Sequence, residues 1–215
     1  IEDEDTVNML KAYCKENIAK YAVPREYRFI DALPRTKVSK VDYRALERMY
    51  AHLKQWDVAV VGGMFVHGSK ILNCGYIYDK DGVIYPACAG QKARDRGYED
   101  RICLAQDVSM VDPGFCMIDE KIYRKLGGFR RGLLGRDAML DFCLRVRNAG
   151  YRVVYEPGVV VSRASSTPES SKESHDNLLN VYGPKGTSDK IRFEDGDEFY
   201  NQNLPLGVWN YSLFD

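Results

Sequence analysis

The sequence predicts an α/β chain in which a small α+β segment precedes a mixed sheet with helices. Three observations lead to this prediction: apolar residues at helical spacing near the N-terminus, short apolar runs after residue 56, and the turn residues between those runs. The 215 residues are 45% hydrophobic and 29% charged, which suits one or two domains with a core. Because the pattern changes near Trp56, we divide the chain into residues 1–50 and 51–215.

The first segment is predicted to contain two helices that flank a strand and a loop. Apolar residues recur at helical spacing over residues 7–19, and Asp42 can cap a second helix over residues 43–54. The aromatic and β-branched residues at 26–30 favour a strand. A polar loop, LPRTKVSK at residues 33–40, connects that strand to the second helix.

The second segment is predicted to alternate short strands with helices. The apolar run at residues 57–61 is expected to end at Gly62-Gly63, and Asp81-Gly82 predicts a hairpin turn. Residues 162–174 are rich in Ser and charge, which is typical of a loop. The remaining predicted elements are strands at residues 64–66, 71–78, 83–85 and 151–155 and helices at residues 120–126 and 138–149.

Composition narrows the classes of function. The 31 basic and 31 acidic residues cancel, so no basic field attracts nucleic acid, and no apolar run is long enough for a transmembrane segment. The six cysteines form no CxxC pair, and no group of His, Cys and carboxylates has metal-site spacing, so we predict no metal site. Cysteines among apolar residues indicate buried, reduced thiols and a cytoplasmic protein. His52, His67 and His175 are interpreted as exposed residues of a helix, a turn and a loop.

The loop at residues 33–40 carries the first candidate site. A lysine in a Ser/Thr-rich loop, here Lys40 after Thr36, is a mobile cation that can reach negative charge on a carboxyl or phosphate group. A solvated basic loop without a ligand is the alternative interpretation. Residue types and spacing alone favour that alternative.

Residues 1–50 resemble the C-terminal lid of the adenylate-forming ligases, which include acyl-CoA synthetases. The resemblance rests on the matching positions Tyr21, Pro24, Phe29, Asp31, Leu33, Pro34, Thr36 and Lys40. It implies that Lys40 bridges the acyl carboxylate and the ATP α-phosphate, with Thr36 as a binding residue. It also implies that a large ligase domain supplies the ATP and CoA sites. Ser39 departs from the family, which has Gly at this position.

Residues 52–215 resemble the C-terminal half of a family 2 glycosyltransferase. The stretches PGFCMIDEKIYRKLGGF and LDFCLRVRNAGYRVVYEP carry this resemblance, together with the closing YNQNLPLGVWNYSL. It implies a truncated GT-A-like sheet and, in complete relatives, a nucleotide sugar held with Mg or Mn through a DxD motif. No DxD lies in the stretch directly before residue 57, where Asp42 is the lone Asp, and Asp79-Lys80-Asp81 is assigned to the turn before Gly82 instead.

The same resemblance locates the expected base and a binding wall. The acidic element of the family corresponds to residues 138–141, where Met139 occupies the base position and Asp141 is the helix-side, structural acid. Asp137 can replace the base only if its loop shifts. Gly114 and Phe115 match the wall near donor and acceptor. Three nearby arginines, Arg145, Arg147 and Arg152, are expected to form structural ion pairs.

Three functions stay open from the sequence. The chain is a module of a larger ligase/glycosyltransferase-type polypeptide that is not catalytic on its own, a partner-dependent nucleotide-sugar glycosyltransferase, or an interaction and oligomerisation domain. For the isolated chain we expect no cofactor. Partners implied are an upstream ligase domain or a partner chain, or a homodimer formed through an open sheet edge, since unpaired edges attract further strands.

Overall fold

The computed structural model describes residues 8–9, 12–13, 16, 42–164, 170–188 and 190–200. The chain divides into two compact units, residues 1–33 and 34–215. In the first unit, all five described residues are helical, as the apolar spacing over residues 7–19 predicts: Asn8, Met9, Ala12, Tyr13 and Glu16. The predicted strand at 26–30 and the loop at 33–40 lie outside the described residues.

In the second unit, helices and short strands alternate, so the predicted mixed α/β class is confirmed. The helices are α1 (Tyr43–Leu53), α2 (Glu120–Lys125), α3 (Gly135–Asn148) and α4 (Lys172–Tyr182). The strands are β1 (Val58–His67), β2 (Lys70–Asn73), β3 (Tyr76–Tyr78), β4 (Ile84–Pro86), β5 (Gln106–Asp107), β6 (Cys116–Ile118) and β7 (Arg152–Ser162).

β1 is the central strand of a mixed five-stranded sheet. It pairs in parallel with β7. On its other edge it pairs antiparallel with β6 along its first half and with β2 along its second half. β5 continues the sheet on the far side of β7, in antiparallel orientation. β3 and β4 form a separate hairpin around the predicted turn, where Gly82 adopts a φ of +79°.

The expected end of the first strand at Gly62-Gly63 is wrong, because β1 runs through both glycines. Close packing explains their presence. A Cβ on Gly62 would lie 2.7 Å from Val111 Cγ1, and one on Gly63 would lie 2.6 Å from Val159 Cγ1. Only glycine allows the segments that carry Val111 and Val159 to approach β1 this closely.

α1 begins where the sequence predicts, since the Asp42 side chain accepts a hydrogen bond from the Ala45 N–H at 3.1 Å. Its buried residues Ala45 and Met49 pack with β-strand residues that include Val61 and Phe65. The predicted boundary between residues 50 and 51 falls inside this helix. The position of that boundary stays a prediction.

Three elements in the second half differ from the sequence predictions. α3 begins three residues earlier, at Gly135, and β7 extends to Ser162. The expected loop over residues 162–174 is partly replaced by α4, whose first turn is capped by the Ser171 hydroxyl. Ser171 accepts a hydrogen bond from the Ser174 N–H, so one of the serines that suggested a loop begins a helix.

Within the described part of the chain, no helix combines the length and apolarity needed to cross a bilayer. The described residues include five of the six cysteines. Cys74, Cys88 and Cys143 are buried, as expected, whereas Cys103 is exposed. Burial raises the pKa of the Cys143 thiol, so that side chain is uncharged at neutral pH.

Candidate functional site

Asp112, in the connection between β5 and β6, is the centre of a buried polar cluster. Its Oδ2 accepts hydrogen bonds from Asn73 Nδ2 and from the Tyr76 hydroxyl, both at 2.8 Å. Its Oδ1 accepts from the Gly114 N–H at 2.7 Å and from Arg163 Nη1 at 3.2 Å. These donors stabilise a carboxylate that has no exposed surface. Asp112 was not predicted as a site residue, although an acid inside the apolar run 108–118 was a usable signal.

Gly114 and Phe115 lie in different environments. A Cβ on Gly114 would lie 2.9 Å from both Arg163 Nη1 and Asp112 Oδ1, so the Asp112 cluster requires glycine here. Phe115 is 9% exposed and belongs to the apolar core beneath α1, with Met49. The binding role inferred for both residues stays a prediction.

Asp137 lies in the first turn of α3, where the helix dipole favours a negative charge. Its carboxylate is 2% exposed, and Oδ1 lies 3.9 Å from His175 Nδ1 on α4. Among the described residues, Oδ2 has no hydrogen-bond partner. The Asp137 N–H donates to the Ser170 hydroxyl at 3.1 Å, which ties this turn to the segment before α4.

Met139 and Asp141, the two other positions of the predicted catalytic element, are both inaccessible. The Met139 side chain is 1% exposed and belongs to the main apolar core. Asp141 is 0% exposed, and its Oδ1 accepts from Arg130 Nε and from the Tyr182 hydroxyl, both at 3.0 Å. Its Oδ2 accepts from Arg145 Nε at 2.9 Å and Nη2 at 2.7 Å.

The arginines of this region form ion pairs, as the sequence analysis expects. Arg145 binds Asp141 and also donates to two carbonyl oxygens before α3, those of Leu126 and Gly128. Arg147 pairs with Glu198. Arg152 binds Asp107 at 3.0 Å and lies 3.6 Å from Asp57. Through Arg130, Arg145 and Tyr182, Asp141 connects α3 to α4 and to the segment before α3.

The histidine interpretations need correction at all three positions. His52 is not a solvated helix residue, because its Nε2 lies 2.7 Å from Glu156 Oε2 and its side chain is only 21% exposed. His175 lies on α4 rather than in a loop, and it faces Asp137. His67 ends β1, where its Nδ1 is 3.1 Å from the Arg163 carbonyl oxygen.

The described residues do not fit a divalent metal. Asp79 Oδ1 accepts from the Asp81 and Val83 N–H groups, and its Oδ2 accepts from the Tyr85 hydroxyl at 2.9 Å. The Asp79-Lys80-Asp81 motif is thus a turn. In the described ranges, no three His, Cys, Asp or Glu side chains are grouped so that they could bind a metal ion together.

Lys40 and Thr36 lie outside the described residues, so their predicted roles rest on sequence. Residues 2–40 match the family model of the AMP-binding enzyme C-terminal domain. No curated protein and no solved structure matches the chain. Residues 2–40 are therefore similar to the C-terminal domain of AMP-binding enzymes.

Proposed function

We propose that the chain is a module of a larger ligase/glycosyltransferase-type polypeptide, and that residues 51–215 are glycosyltransferase-like but transfer no sugar on their own. One observation carries this proposal: the base position holds a buried Met139, while the neighbouring Asp141 is saturated by two arginines and Tyr182.

The physical argument concerns access to a substrate hydroxyl. A general base must come within hydrogen-bond distance of the proton that it removes, about 2.6–3.2 Å between heavy atoms. A methionine thioether cannot act as such a base. Asp141 has no exposed surface and four donors on its two oxygens, so an acceptor sugar cannot reach it unless the network opens.

The ligase part of the proposal rests on the family match at residues 2–40. Lys40 has its adenylation role only when a large ligase domain, upstream or on a partner chain, supplies the ATP and CoA sites. Adding such a domain to the chain and to a Lys40→Ala variant tests this part. Acyl-adenylate formation should fall strongly in the variant, whereas a Lys37→Ala control should stay active.

Release of UDP or dTDP from nucleotide sugars by the purified chain, with Mg²⁺ or Mn²⁺ present, tests the glycosyltransferase part. We expect no release above the rate without protein. Circular dichroism and a cooperative urea transition must show that the sample is folded. Metal-dependent turnover by the folded chain would contradict the proposal.

A second candidate, a partner-dependent glycosyltransferase, is favoured by the state of Asp137. Its Oδ2 has no hydrogen-bond partner among the described residues, and His175 Nδ1 lies 3.9 Å from Oδ1. Because Asp137 is 2% exposed, this candidate requires its loop to shift, so that Oδ2 can accept the acceptor hydroxyl proton while a partner supplies the donor half.

Calorimetric titration of a UDP-sugar into the chain, with and without co-expressed upstream sequence, separates the two candidates. Partner-dependent binding followed by turnover would support the second. Asp137→Asn should then abolish turnover, whereas Asp176→Asn, an exposed acid of α4, should leave it unchanged. No binding in either sample would remove this candidate.

A further inference from the structure

A cavity of about 330 Å³ lies beside the C-terminal half of α3, and three of its lining residues, Arg130, Arg145 and Tyr182, are also hydrogen-bond partners of Asp141. Its volume falls at the lower end of the range for small-molecule sites, about 300–1,000 Å³. Its described lining residues come from the segment before α3, from α3 and α4, and from the segment after α4: Arg130, Leu144, Arg145, Asn148, Val181, Tyr182, Thr187, Ser188, Lys190 and Ile191.

The cavity carries positive charge. Arg130 and Arg145 share the single carboxylate of Asp141, which leaves one of their two charges uncompensated in this group. Lys190 adds a further cation at the rim, and no acid is present among the described lining residues. The adjacent Asp189 lies outside the described residues. A net positive concave surface concentrates anions.

The lining residues of the cavity differ in polarity. Side chains that donate hydrogen bonds come from the segment after α4, where Thr187 and Ser188 carry hydroxyl groups, and from Asn148. Leu144, Val181 and Ile191 supply an apolar wall. Cations with hydroxyl donors suit phosphate oxygens, whereas the apolar wall suits a carbon skeleton.

A second cavity of about 390 Å³ shares Asn148, Lys190 and Ile191 with the first. It is lined by Arg147, whose side chain is 10% exposed and whose Nε and Nη1 have no hydrogen-bond partner among the described residues. The pairing of Arg147 with Glu198, which is 63% exposed, leaves these buried donors unsatisfied. This second cavity is lined by three cations, Arg147, Lys190 and Arg192, and by two acids, Asp195 and Glu198, so its charge is more nearly balanced than that of the first.

We propose that the 330 Å³ cavity binds the phosphate group of a small phosphate ester, with Lys190 and Arg130 as its cationic contacts. This inference goes beyond the proposed function. Asp137 and Asn148 are eleven residues apart on α3, or about 16 Å at the rise of an α-helix. The two sites can therefore be tested separately.

Calorimetric titration of the full chain with glucose 1-phosphate, inorganic phosphate and glucose tests the proposal. We expect glucose 1-phosphate to bind more tightly than phosphate, and glucose not to bind. Lys190→Met keeps most of the length of the side chain and removes its charge, and should weaken ester binding at least about tenfold, since it deletes a charge-assisted contact. The matched control is Lys80→Met, at an exposed lysine in the β3–β4 turn, which should bind like the unmodified chain.

Two results would overturn the proposal. One is the absence of binding by either phosphate compound at millimolar concentration. The other is equal affinity of the unmodified chain and a Lys190→Met variant with an unchanged urea midpoint. A Thr187→Val variant gives an independent check, because losing one hydroxyl donor should also weaken ester binding. None of these variants touches Asp137, so failure here leaves the glycosyltransferase-like proposal standing.

Discussion

The Tyr182 hydroxyl donates a 3.0 Å hydrogen bond to Asp141 Oδ1, joining α4 to the middle of α3. The same carboxylate pairs with two arginines, so one buried acid holds three parts of the chain together. Burial is the main reason that the pKa of Tyr182 is raised, followed by the nearby negative charge of Asp141. Asp141 thus has a structural role, and its removal should lower the free energy of unfolding.

Asp141→Asn should lower the free energy of unfolding by about 3 kcal/mol, because it leaves two partly buried guanidinium groups without their carboxylate. Urea denaturation at pH 7 measures the change. The matched control is Glu120→Gln, which removes the exposed pair with Arg124 on α2 and should cost less than about 0.5 kcal/mol. Equal effects of the two variants would show that the network around Asp141 contributes little.

The sequence predicted correctly those elements that are determined by residues close together in the chain. Asp42 and the apolar spacing after it located α1, and Asp81-Gly82 located the β3–β4 turn. The end of β1 was predicted wrongly at Gly62-Gly63. These glycines are required by close packing against Val111 and Val159, which are distant in sequence.

The candidate site also has features that were predicted from the sequence and contacts that were not. The resemblance to family 2 glycosyltransferases implied that Met139 occupies the base position and that Asp141 is the helix-side acid, and both side chains are buried in the structure. The approach of His175 to Asp137 was not predictable, because these residues lie on two helices whose packing the sequence pattern does not define. The Asp112 cluster also joins residues that are far apart in sequence, among them Asn73 and Arg163.

Gly62→Ala should destabilise the fold by about 3 kcal/mol or prevent folding, because the added methyl group meets Val111 inside the sheet. Gly68→Ala is the control. No atom lies within 4 Å of its added Cβ, and only its φ of +59° is unfavourable, so its cost should be about 1 kcal/mol. Urea midpoints of the two variants test this, and a Gly62→Ala variant as stable as Gly68→Ala would refute the close-packing argument.

Alkaline pH should destabilise the fold through Tyr78. Burial, followed by the negative charge of Asp197, raises the pKa of Tyr78 to about 12 from its ordinary value of 10.0. Between these values the unfolded chain releases the phenol proton and the folded chain keeps it, so the free energy of unfolding falls as pH rises. The loss attributable to this group approaches about 2–3 kcal/mol at the top of the window.

Urea titrations at pH 9, 10 and 11 measure the decline, and Tyr78→Phe should make it shallower. Tyr13→Phe is the matched control, because that ring is 62% exposed. An equally steep decline in the Tyr78→Phe variant would show that other groups govern alkaline unfolding.

Asp197 connects the segment after α4 to the sheet region and gives a prediction at the acidic end of the pH range. Its Oδ1 accepts from the Ser109 hydroxyl and from the Phe199 N–H at 2.9 Å, and its Oδ2 accepts from the Tyr78 N–H at 3.2 Å. Burial raises the pKa of Asp197, while the hydrogen bond from Ser109 opposes that rise. The Ser109 hydroxyl therefore stabilises the charged carboxylate in the folded chain.

Ser109→Ala should raise the pKa of Asp197 further and cost about 1.5–3 kcal/mol at pH 7, where the bond is made to a charged acceptor. A raised carboxyl pKa means that the free energy of unfolding falls as pH rises from the unfolded value of 3.8 through the folded one. Ser109→Ala should therefore lose less stability at pH 4 than at pH 7, whereas the exposed control Ser69→Ala should change little at either pH. If Ser109→Ala costs the same at both values, the hydroxyl does not act through the charge on Asp197.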